Sequence, residues 1–464
     1  MFRFTELACS DTPALGTTVS IAPKDINTND VGYHEVSIRS GASTIAYDTM
    51  SYYTGNITNT PETIGIFPQP YYWWQAGACW GAMLDYSHYT GDTSYDDVTR
   101  QALLSQVGPQ FDYMVPLYHG SEGNDDQLFW GFAVLEAAER NFAQPDDSIP
   151  PWLTLAENIW NSVAARWDDT SCGGGLRWQI FADNVNGLDY KNSVSNGGLF
   201  QMSARLARAT GNETYVHWAE KVWDWSAAIG LVDKDFNVFD GASSKQECKE
   251  INTARFSYSQ GIYMYGAAVL FNFTDGDATW GSRTEGLLAQ ASKSYFSPFS
   301  NATDVMYERA CETWGVCNTD QKSFKGYLAR FMGATALMMP STLGDVKRLL
   351  EASAIGAARA CSCPHGSSSG QGQDDDSACG QKWYIDACDG STGLGQQMSA
   401  LETVQALLAF TARPPFKAGE IKHVGSVATP STTETTLPPS STPSSGVNTL
   451  RWSFAALLAV LLIP

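Results

Sequence analysis

The apolar positions of the chain recur with helical spacing from about residue 33 to residue 413. Twelve helices are predicted from this pattern. Their expected ranges are 36–54, 71–90, 93–106, 124–142, 150–167, 192–210, 213–230, 254–273, 278–296, 321–338, 342–360 and 394–412. The sequence therefore predicts an all-α domain over residues 33–415.

A short turn motif recurs between pairs of these helices. Segments 90–95, 210–215 and 275–280 each place a glycine and then Asp or Asn before the next helix. Glycine suits the left-handed residue that ends a helix, and Asp or Asn caps the following one. The helix before each turn is apolar, whereas the helix after it is more charged. Six such hairpins predict an (α/α)6 barrel whose cavity opens where the inner helices begin.

Two adjacent carboxylates, Asp125 and Asp126, stand at one inner-helix start, ahead of the uncharged run 127–135. Adjacent positions at a helix start hold their Cβ atoms about 5 Å apart. The nucleophile and acid/base of a retaining glycosidase are also separated by about 5 Å. The alternative is that the pair only caps the helix and complements its dipole. Other adjacent aspartates, such as 96–97 and 374–376, do not lead into an apolar helix, so Asp125 and Asp126 are the predicted catalytic residues.

Polar and aromatic residues also occur at other predicted inner-helix starts, within segments 70–75, 172–179, 191–197 and 256–261. Each segment taken alone is explained by capping and turn chemistry. Together at one end of a barrel, they predict a sugar-binding cleft. The cysteine and histidine spacings do not fit a zinc site and no GxSxG motif occurs, so neither a metal nor another cofactor is expected.

Cysteine content indicates the environment of the protein. Ten cysteines without zinc-site spacing favour disulfides, which form in the secretory pathway. The candidate pairs are Cys311–Cys317, Cys172–Cys248, and either Cys361 or Cys363 with Cys379. The pairing within 361, 363, 379 and 388 stays open. Four N-glycosylation sequons agree with secretion, and they begin at Asn56, Asn212, Asn272 and Asn301.

A net charge of −20 makes nucleic acid and anionic membrane surfaces poor partners, while a neutral glycan is not disfavoured. Fifteen tryptophans suit a carbohydrate cleft, because sugar faces stack on aromatic rings, although they also suit a large core.

Both ends of the chain differ from the helical domain. Residues 1–32 lack the apolar core of a signal peptide, so we expect that this segment is disordered, or that the start is truncated or mispredicted and a signal peptide is missing. Residues 416–447 form a Ser/Thr/Pro-rich stalk, and 448–464 hold an apolar run too short to span a bilayer. This ending is typical of a GPI-attachment signal, with Ser445 as the predicted site and Ser440 or Ser441 as alternatives. The expected location is the outer face of the plasma membrane and the cell wall.

Several motifs occur in an order that resembles glycoside hydrolase family 76. They are Tyr-Tyr-Trp-Trp-Gln-Ala-Gly-Ala at 71–78, Glu-Gly-Asn-Asp-Asp-Gln at 122–127, Gly-Gly-Leu-Arg-Trp-Gln at 174–179, Lys-Asn-Ser-Val-Ser-Asn-Gly at 191–197 and Gly-Gln-Gln-Met-Ser-Ala-Leu-Glu at 395–402. More narrowly, the chain is similar to the fungal GPI-anchored mannan endo-1,6-α-mannosidase group over about residues 35–412. It departs from that pattern in a longer loop between Cys363 and Cys388 and in the missing signal peptide.

The resemblance implies an (α/α)6 fold, retaining chemistry on α-1,6-mannosides and a part in fungal cell-wall biogenesis. Asp125 would be the nucleophile and Asp126 the acid/base. The predicted substrate contacts are Trp73, Trp74, Asn124, Gln127, Arg177, Trp178, Asn196 and Tyr258. The donor would be mannan or a GPI glycan, and a glucan would be the acceptor if the enzyme is a transglycosidase. A non-catalytic mannan-binding wall protein is the alternative.

Overall fold

The computed structural model describes residues 31–184, 187–364 and 377–422. The sequence predictions for 1–30, for most of the stalk and for the GPI signal with Ser445 lie outside these ranges. No helix within them is both long and apolar enough to cross a membrane. The described chain contains these α-helices: α1 Val31–Ser51, α2 Gly55–Thr58, α3 Trp73–Thr90, α4 Asp96–Ser105, α5 Asn124–Glu139, α6 Trp152–Ala164, α7 Ser193–Thr210, α8 Glu213–Ile229, α9 Ser257–Phe273, α10 Ala278–Tyr295, α11 Phe324–Met338, α12 Leu343–Ala360 and α13 Leu394–Ala409.

Six of these helices form a closed inner ring. In ring order they are α3, α5, α7, α9, α11 and α13, and α13 packs against α3 to close the circle. The long helices α1, α4, α6, α8, α10 and α12 pack outside them. Nearly every residue of α7 and α13 is buried, as expected of helices that are enclosed on all sides. The prediction of an (α/α)6 barrel of six helical hairpins is confirmed.

The turn motif has the predicted chemistry. Gly91 and Gly211 end α3 and α7 with φ of 75° and 74°, a left-handed conformation that glycine adopts without steric cost. Asn212 then caps α8 by accepting a hydrogen bond from the backbone N–H of Thr214 at 3.0 Å. Asp277 caps α10 in the same way. The hairpins are therefore joined by local rules that the sequence carries.

Three short strands interrupt the helical pattern, which the sequence analysis did not predict. They are β1 Tyr190–Asn192, β2 Gly241–Ser243 and β3 Ile251–Asn252, and they form an antiparallel sheet in that order. The expectation of helices throughout is wrong here, because strands of two or three residues are too short to show a period. β1 runs directly into α7 and thereby sets the entry to that inner helix.

Four disulfides occur in the described chain: Cys172–Cys248, Cys311–Cys317, Cys361–Cys379 and Cys363–Cys388. The first two are pairs proposed from the sequence, and the third is one of the two alternatives left open for Cys379. The fourth gives Cys363 as the partner of Cys388.

Residues 416–422 remain attached to the helical domain beyond the predicted end at 415. The backbone N–H of Phe416 donates to the carbonyl of Glu139 at 2.8 Å, and that of Ala418 donates to the carbonyl of Arg208 at 3.0 Å. Ile421 is buried. The ordered contacts with the barrel thus run at least to this position.

The four sequon asparagines are exposed. Asn272 differs from the others because it lies in the last turn of α9 and accepts a hydrogen bond from Nε of Arg208 at 2.9 Å. Glycosylation at these four positions stays a prediction.

Candidate active site

The first turn of α5 carries Asp125 and Asp126 at the open end of the barrel. Gly123 precedes the helix in an extended conformation and pairs with Gln179 as an isolated antiparallel bridge. The next backbone N–H, of Asn124, donates to the carbonyl of Trp178 at 2.9 Å. The two carboxylates are therefore placed by α5 together with the glycine-rich segment that ends at Gln179.

The two carboxylates have different hydrogen-bond partners. Asp125 accepts from the side-chain amide of Asn192 at 3.0 Å through Oδ2, and from the backbone N–H of Asp126 at 3.1 Å through Oδ1. Asp126 accepts from the backbone N–H of Gly123 at 2.7 Å through Oδ2. Asp126 thus closes the start of α5, as the capping alternative expected, while it stands beside a second carboxylate that is buried.

Burial dominates the electrostatics of the pair. It raises the pKa of Asp125 to about 7, against the lowering effect of the hydrogen bond from Asn192. Burial and the neighbouring charge of Asp125 raise the pKa of Asp126 well above its usual range. Two carboxyls this close titrate as a unit, and the environment favours the proton on Asp126. The site therefore offers a carboxylic acid, Asp126, beside a carboxyl that ionises near neutral pH, Asp125.

Two of the predicted sugar contacts are amides that the structure places behind the carboxylates. Asn124 accepts from Nε of Arg166 at 2.7 Å and donates to the carbonyl of Arg177 at 2.8 Å. Gln127 accepts from Arg166 and donates to the carbonyl of Asp112 at 2.7 Å. Both amides are buried and engaged at each end, so they hold the first turn of α5 rather than face the cleft.

Asn196 and Trp73 are also withdrawn from the cleft. Asn196 is 0% exposed and binds the backbone N–H and carbonyl of Leu176 at 2.8 and 3.0 Å. Trp73 is buried, stacks on Trp130 with ring centres 5.3 Å apart, and donates its indole N–H to Gln106 at 3.0 Å. Their geometry is that of scaffold residues, which corrects the expectation that both contact sugar.

Arg177 holds the glycine-rich segment in place. Its guanidinium pairs with Asp168 at 2.7 Å and donates to the carbonyl of Leu188 at 2.9 Å. The buried ammonium of Lys191 also binds Asp168, and it donates to three backbone carbonyls between residues 168 and 174. Arg177 is partly exposed, so its side chain is accessible to a sugar. The partners observed for it, however, are groups of the neighbouring loops, which it holds in place.

The remaining predicted contacts are aromatic and reach the opening. Trp178 is 36% exposed at the rim. Trp74 and Tyr258 are partly exposed and belong to a group of rings near the starts of α3, α5, α9 and α11. Trp74 lies 4.7 Å from Phe129 between ring centres, and Tyr258 stacks on Phe324 at 3.8 Å. Trp74, Phe129, Tyr258 and Phe324 are called the aromatic floor below.

Sequence reasoning missed two side chains that bear on the carboxylates. Asn192 lay within the 191–197 segment but was taken only as a part of a helix entry. Asp320 lies in the turn before α11 and accepts the indole N–H of Trp74 at 3.2 Å. A search of every inner-helix start for polar residues would have included the 318–323 segment and so could have found it.

Two adjacent carboxyl groups, one buried and one partly buried, lie at the open end of a barrel of six helical hairpins. Such a pair provides the two groups that a glycoside hydrolase requires. Residues 37–419 match the family described as glycosyl hydrolase family 76, and the chain belongs to this family. The resemblance found in the sequence motifs is confirmed.

Named relatives and solved structures agree with this assignment. The chain is 45% identical over 385 residues to mannan endo-1,6-alpha-mannosidase DCW1 of Candida glabrata, covering 82% of each protein. It is 37% identical to Dfg5 of Chaetomium thermophilum, solved in complex with glucosamine, with a TM-score of 0.77 over 85% of this chain and 94% of that one. An α-1,6-mannanase of Salegentibacter shares the fold at 20% identity, with a TM-score of 0.61 over 80% of this chain and 99% of that one. That structure is an inactive variant in which two consecutive aspartates are replaced by asparagine, in complex with α-1,6-mannotriose.

Proposed function

We propose that this protein is a retaining, endo-acting α-1,6-mannosidase or transglycosidase that acts on mannan or GPI-type glycans in fungal cell-wall biogenesis. The observation that carries the proposal is the unequal pair of adjacent carboxylates, Asp125 and Asp126, at the mouth of the barrel. The mannan endo-1,6-alpha-mannosidase relative supports the substrate class. The inactive mannanase variant, which lacks two consecutive aspartates, supports the assignment of the pair.

The first step uses the two carboxyl groups in different roles. Asp125, as the carboxylate, attacks the anomeric carbon of an α-1,6-linked mannose, and the glycosidic bond breaks as Asp126 gives its proton to the leaving oxygen. The hydrogen bond from Asn192 favours the charged form of Asp125. The hydrogen bond from Gly123 occupies Oδ2 of Asp126, which leaves Oδ1 to carry the proton.

The second step resolves the mannosyl ester on Asp125. Asp126, now a carboxylate, takes a proton from an incoming hydroxyl, whose oxygen bonds to the anomeric carbon and releases Asp125. Water as the incoming group gives hydrolysis, and a sugar hydroxyl gives transfer, with the same configuration at the anomeric carbon. A glucan is the proposed acceptor for transfer, because the predicted stalk and anchor would hold the domain among wall polymers. The proposed location is the outer face of the plasma membrane and the cell wall.

The test incubates the purified protein with a defined linear α-1,6-mannan, with and without a glucan oligosaccharide, and reads the products by mass. Shortened mannan alone identifies a hydrolase, and an adduct with the glucan identifies a transglycosidase. Asp125→Asn and Asp126→Asn should each abolish both products, whereas Asp235→Asn, an exposed surface change, should not. Mannan binding without turnover in the unsubstituted protein would favour a wall-binding protein instead.

The roles within the pair are separated with an aryl α-mannoside whose leaving group needs no proton. Asp126→Asn should still form the mannosyl ester from this donor and accumulate it, because only the acid/base is missing. Asp125→Asn should form no ester. The reverse result would exchange the two roles.

A further inference from the structure

Asp320 lies across the barrel mouth from the catalytic pair. It precedes α11, and α11 stands opposite α5 in the ring of six inner helices. Its turn is fastened to the start of α3 at two points, through the indole N–H of Trp74 on Asp320 at 3.2 Å and the amide of Gln75 on the carbonyl of Thr319 at 3.3 Å. The carboxylate is therefore held in a defined position.

The aromatic floor connects Asp320 with the catalytic pair. Phe129 follows Asp125 by four residues on α5, so it lies on the same face of that helix, one turn deeper. Trp74, which holds Asp320, lies 4.7 Å from Phe129 between ring centres. The negative charge of Asp320 also acts on Asp125 and Asp126, raising the pKa of each. A sugar that rests on the floor thus has the catalytic pair on one side and Asp320 on the other.

Asp320 has few protein partners for a carboxylate in such a place. Among the described residues, no Lys or Arg pairs with it, and Trp74 is the one side chain that donates a hydrogen bond to it, through Oδ1. It is partly exposed, and burial raises its pKa to about 6. A partly buried carboxylate is stabilised by additional hydrogen-bond donors, and sugar hydroxyls are such donors.

We propose that Asp320 accepts hydrogen bonds from hydroxyl groups of the mannose at the cleavage position, and so selects a sugar on which those hydroxyls are unsubstituted. The inference rests on the proposed function and adds a specificity determinant to it. A branch or a phosphate on the recognised hydroxyls would remove the hydrogen and place bulk against Asp320. The negative charges of Asp125 and Asp320 would in addition repel a phosphorylated sugar. The preferred donor is therefore a linear, uncharged α-1,6-mannoside.

The test compares donors that lack one hydroxyl, at C2, C3 or C4 of the mannose at the cleavage position, in the unsubstituted full chain and in Asp320→Asn. For the complete donor, Asp320→Asn should lower kcat/KM by about 10- to 100-fold, the range of a hydrogen bond to a charged group. For the deoxy donor that lacks the recognised hydroxyl, the same substitution should change kcat/KM by less than about 3-fold. Asp235→Asn is the matched control and should behave as the unsubstituted protein with every donor.

Equal losses with all donors in Asp320→Asn would overturn the proposal, because a merely structural role does not depend on which hydroxyl is present. A fall in the melting temperature alongside such uniform losses would assign Asp320 to the scaffold. If the unsubstituted protein turns over no donor, the proposed function fails, and the role of Asp320 is then tested by calorimetric binding of α-1,6-mannotriose and its deoxy analogues. Affinities that are unaffected by Asp320→Asn in that assay would overturn this inference separately.

Discussion

The side-chain amide of Asn192 reaches Oδ2 of Asp125 across 3.0 Å from a different inner-helix start. Asn192 is the last residue of β1 and the N-cap of α7, where its Oδ1 accepts the backbone N–H of Ser195 at 3.2 Å. The cap fixes one end of the amide and thereby aims the other end at Asp125. No side-chain amide is bonded to Asp126 in the described chain, so this contact distinguishes the two carboxyls.

Removal of the amide should shift the acid limb of the activity profile. In Asn192→Ala the pKa of Asp125 rises above about 7, because the bond that favours its charged form is lost. Asp125 must be ionised to attack, so the acid limb of kcat/KM should move about 1 unit to higher pH. The measurement is kcat/KM against pH with a soluble α-1,6-mannoside.

Two further variants separate this effect from the loss of the helix cap. Asn192→Ser keeps a capping oxygen but cannot extend an amide to Asp125, so it should show the same pH shift with less loss of stability. Asn161→Ala, at an exposed position of α6, should change neither property. An unchanged acid limb in both Asn192 variants would contradict the assignment of Asp125 as the anionic group.

Gly123 provides a steric test of the pair. A Cβ at this position would lie 2.5 Å from Oδ1 of Asp125 and 3.1 Å from Oδ2 of Asp126. The backbone is extended with φ of −99°, which alanine adopts freely, so the strain falls on these carboxylates, most of all on Asp125, and on the carbonyl oxygen of Trp178, which would lie 3.1 Å from the Cβ. Gly123→Ala should therefore lower kcat by about 100-fold, the cost of a displacement near 1 Å, while the melting temperature changes little.

The matched control for this prediction is Gly120→Ala in the same loop. An added Cβ there meets nothing within 4 Å, so kcat should be retained. Equal changes in kcat for the two substitutions would contradict the prediction. They would show that the response of the loop to an added side chain does not depend on contact with the carboxylates.

The overall fold follows from local signals in the sequence. Gly91 and Gly211 mark helix ends because glycine suits the left-handed conformation found at both, and Asn212 marks a start because its side chain caps the next helix. Each signal acts over a few residues, and the hydrophobic period decides which helix is enclosed. These features were sufficient to predict the (α/α)6 barrel.

The details of the site depend on contacts between segments that are remote in sequence. Trp73 and Trp74 are adjacent helix positions that point about 100° apart, and nothing local indicates which of them reaches the cleft. Asn196 looks like Asn192 in the sequence, yet one binds the backbone of Leu176 and the other binds Asp125. The side of a helix that faces the opening is set by how the ring closes.

A network of buried charges lies farther along the inner helices than the aromatic floor. Arg330 of α11 binds Glu402 of α13 and lies 3.5 Å from Asp85 of α3, and Arg140 binds Asp85 at 3.0 Å. Arg330 and its two acidic partners are almost completely shielded from water. The network therefore joins several helices of the ring through groups that depend on one another for charge compensation.

Arg330→Met should destabilise the protein by about 3–5 kcal/mol, because it leaves two buried carboxyl groups without this cation. Chemical unfolding followed by tryptophan fluorescence gives the change. Arg359→Met is the control, since Arg359 pairs with Asp386 where both side chains are more than half exposed, and it should cost no more than about 1 kcal/mol. A similar cost for both would show that burial does not decide the strength of these pairs.

Glu122 connects the stability of the protein with pH. It precedes Gly123 and is 2% exposed, and burial raises its pKa to about 8 from an ordinary value of 4.5, against the opposing charge of Arg166. A carboxyl with a raised pKa binds its proton more tightly in the folded state. The contribution of this proton to the free energy of unfolding is thus fully present below about pH 4.5, and it is lost as the pH rises to about 8.

Glu122→Gln removes this titration and should alter the dependence of stability on pH. The variant should gain stability over the unsubstituted protein between pH 4.5 and pH 8, by at most about 1.4 kcal/mol for each pH unit. Thermal unfolding of both proteins at several pH values gives the difference. Glu285→Gln, at an exposed position of α10, should show a constant difference. A constant difference for Glu122→Gln as well would mean that Glu122 is ionised in the folded protein across this range.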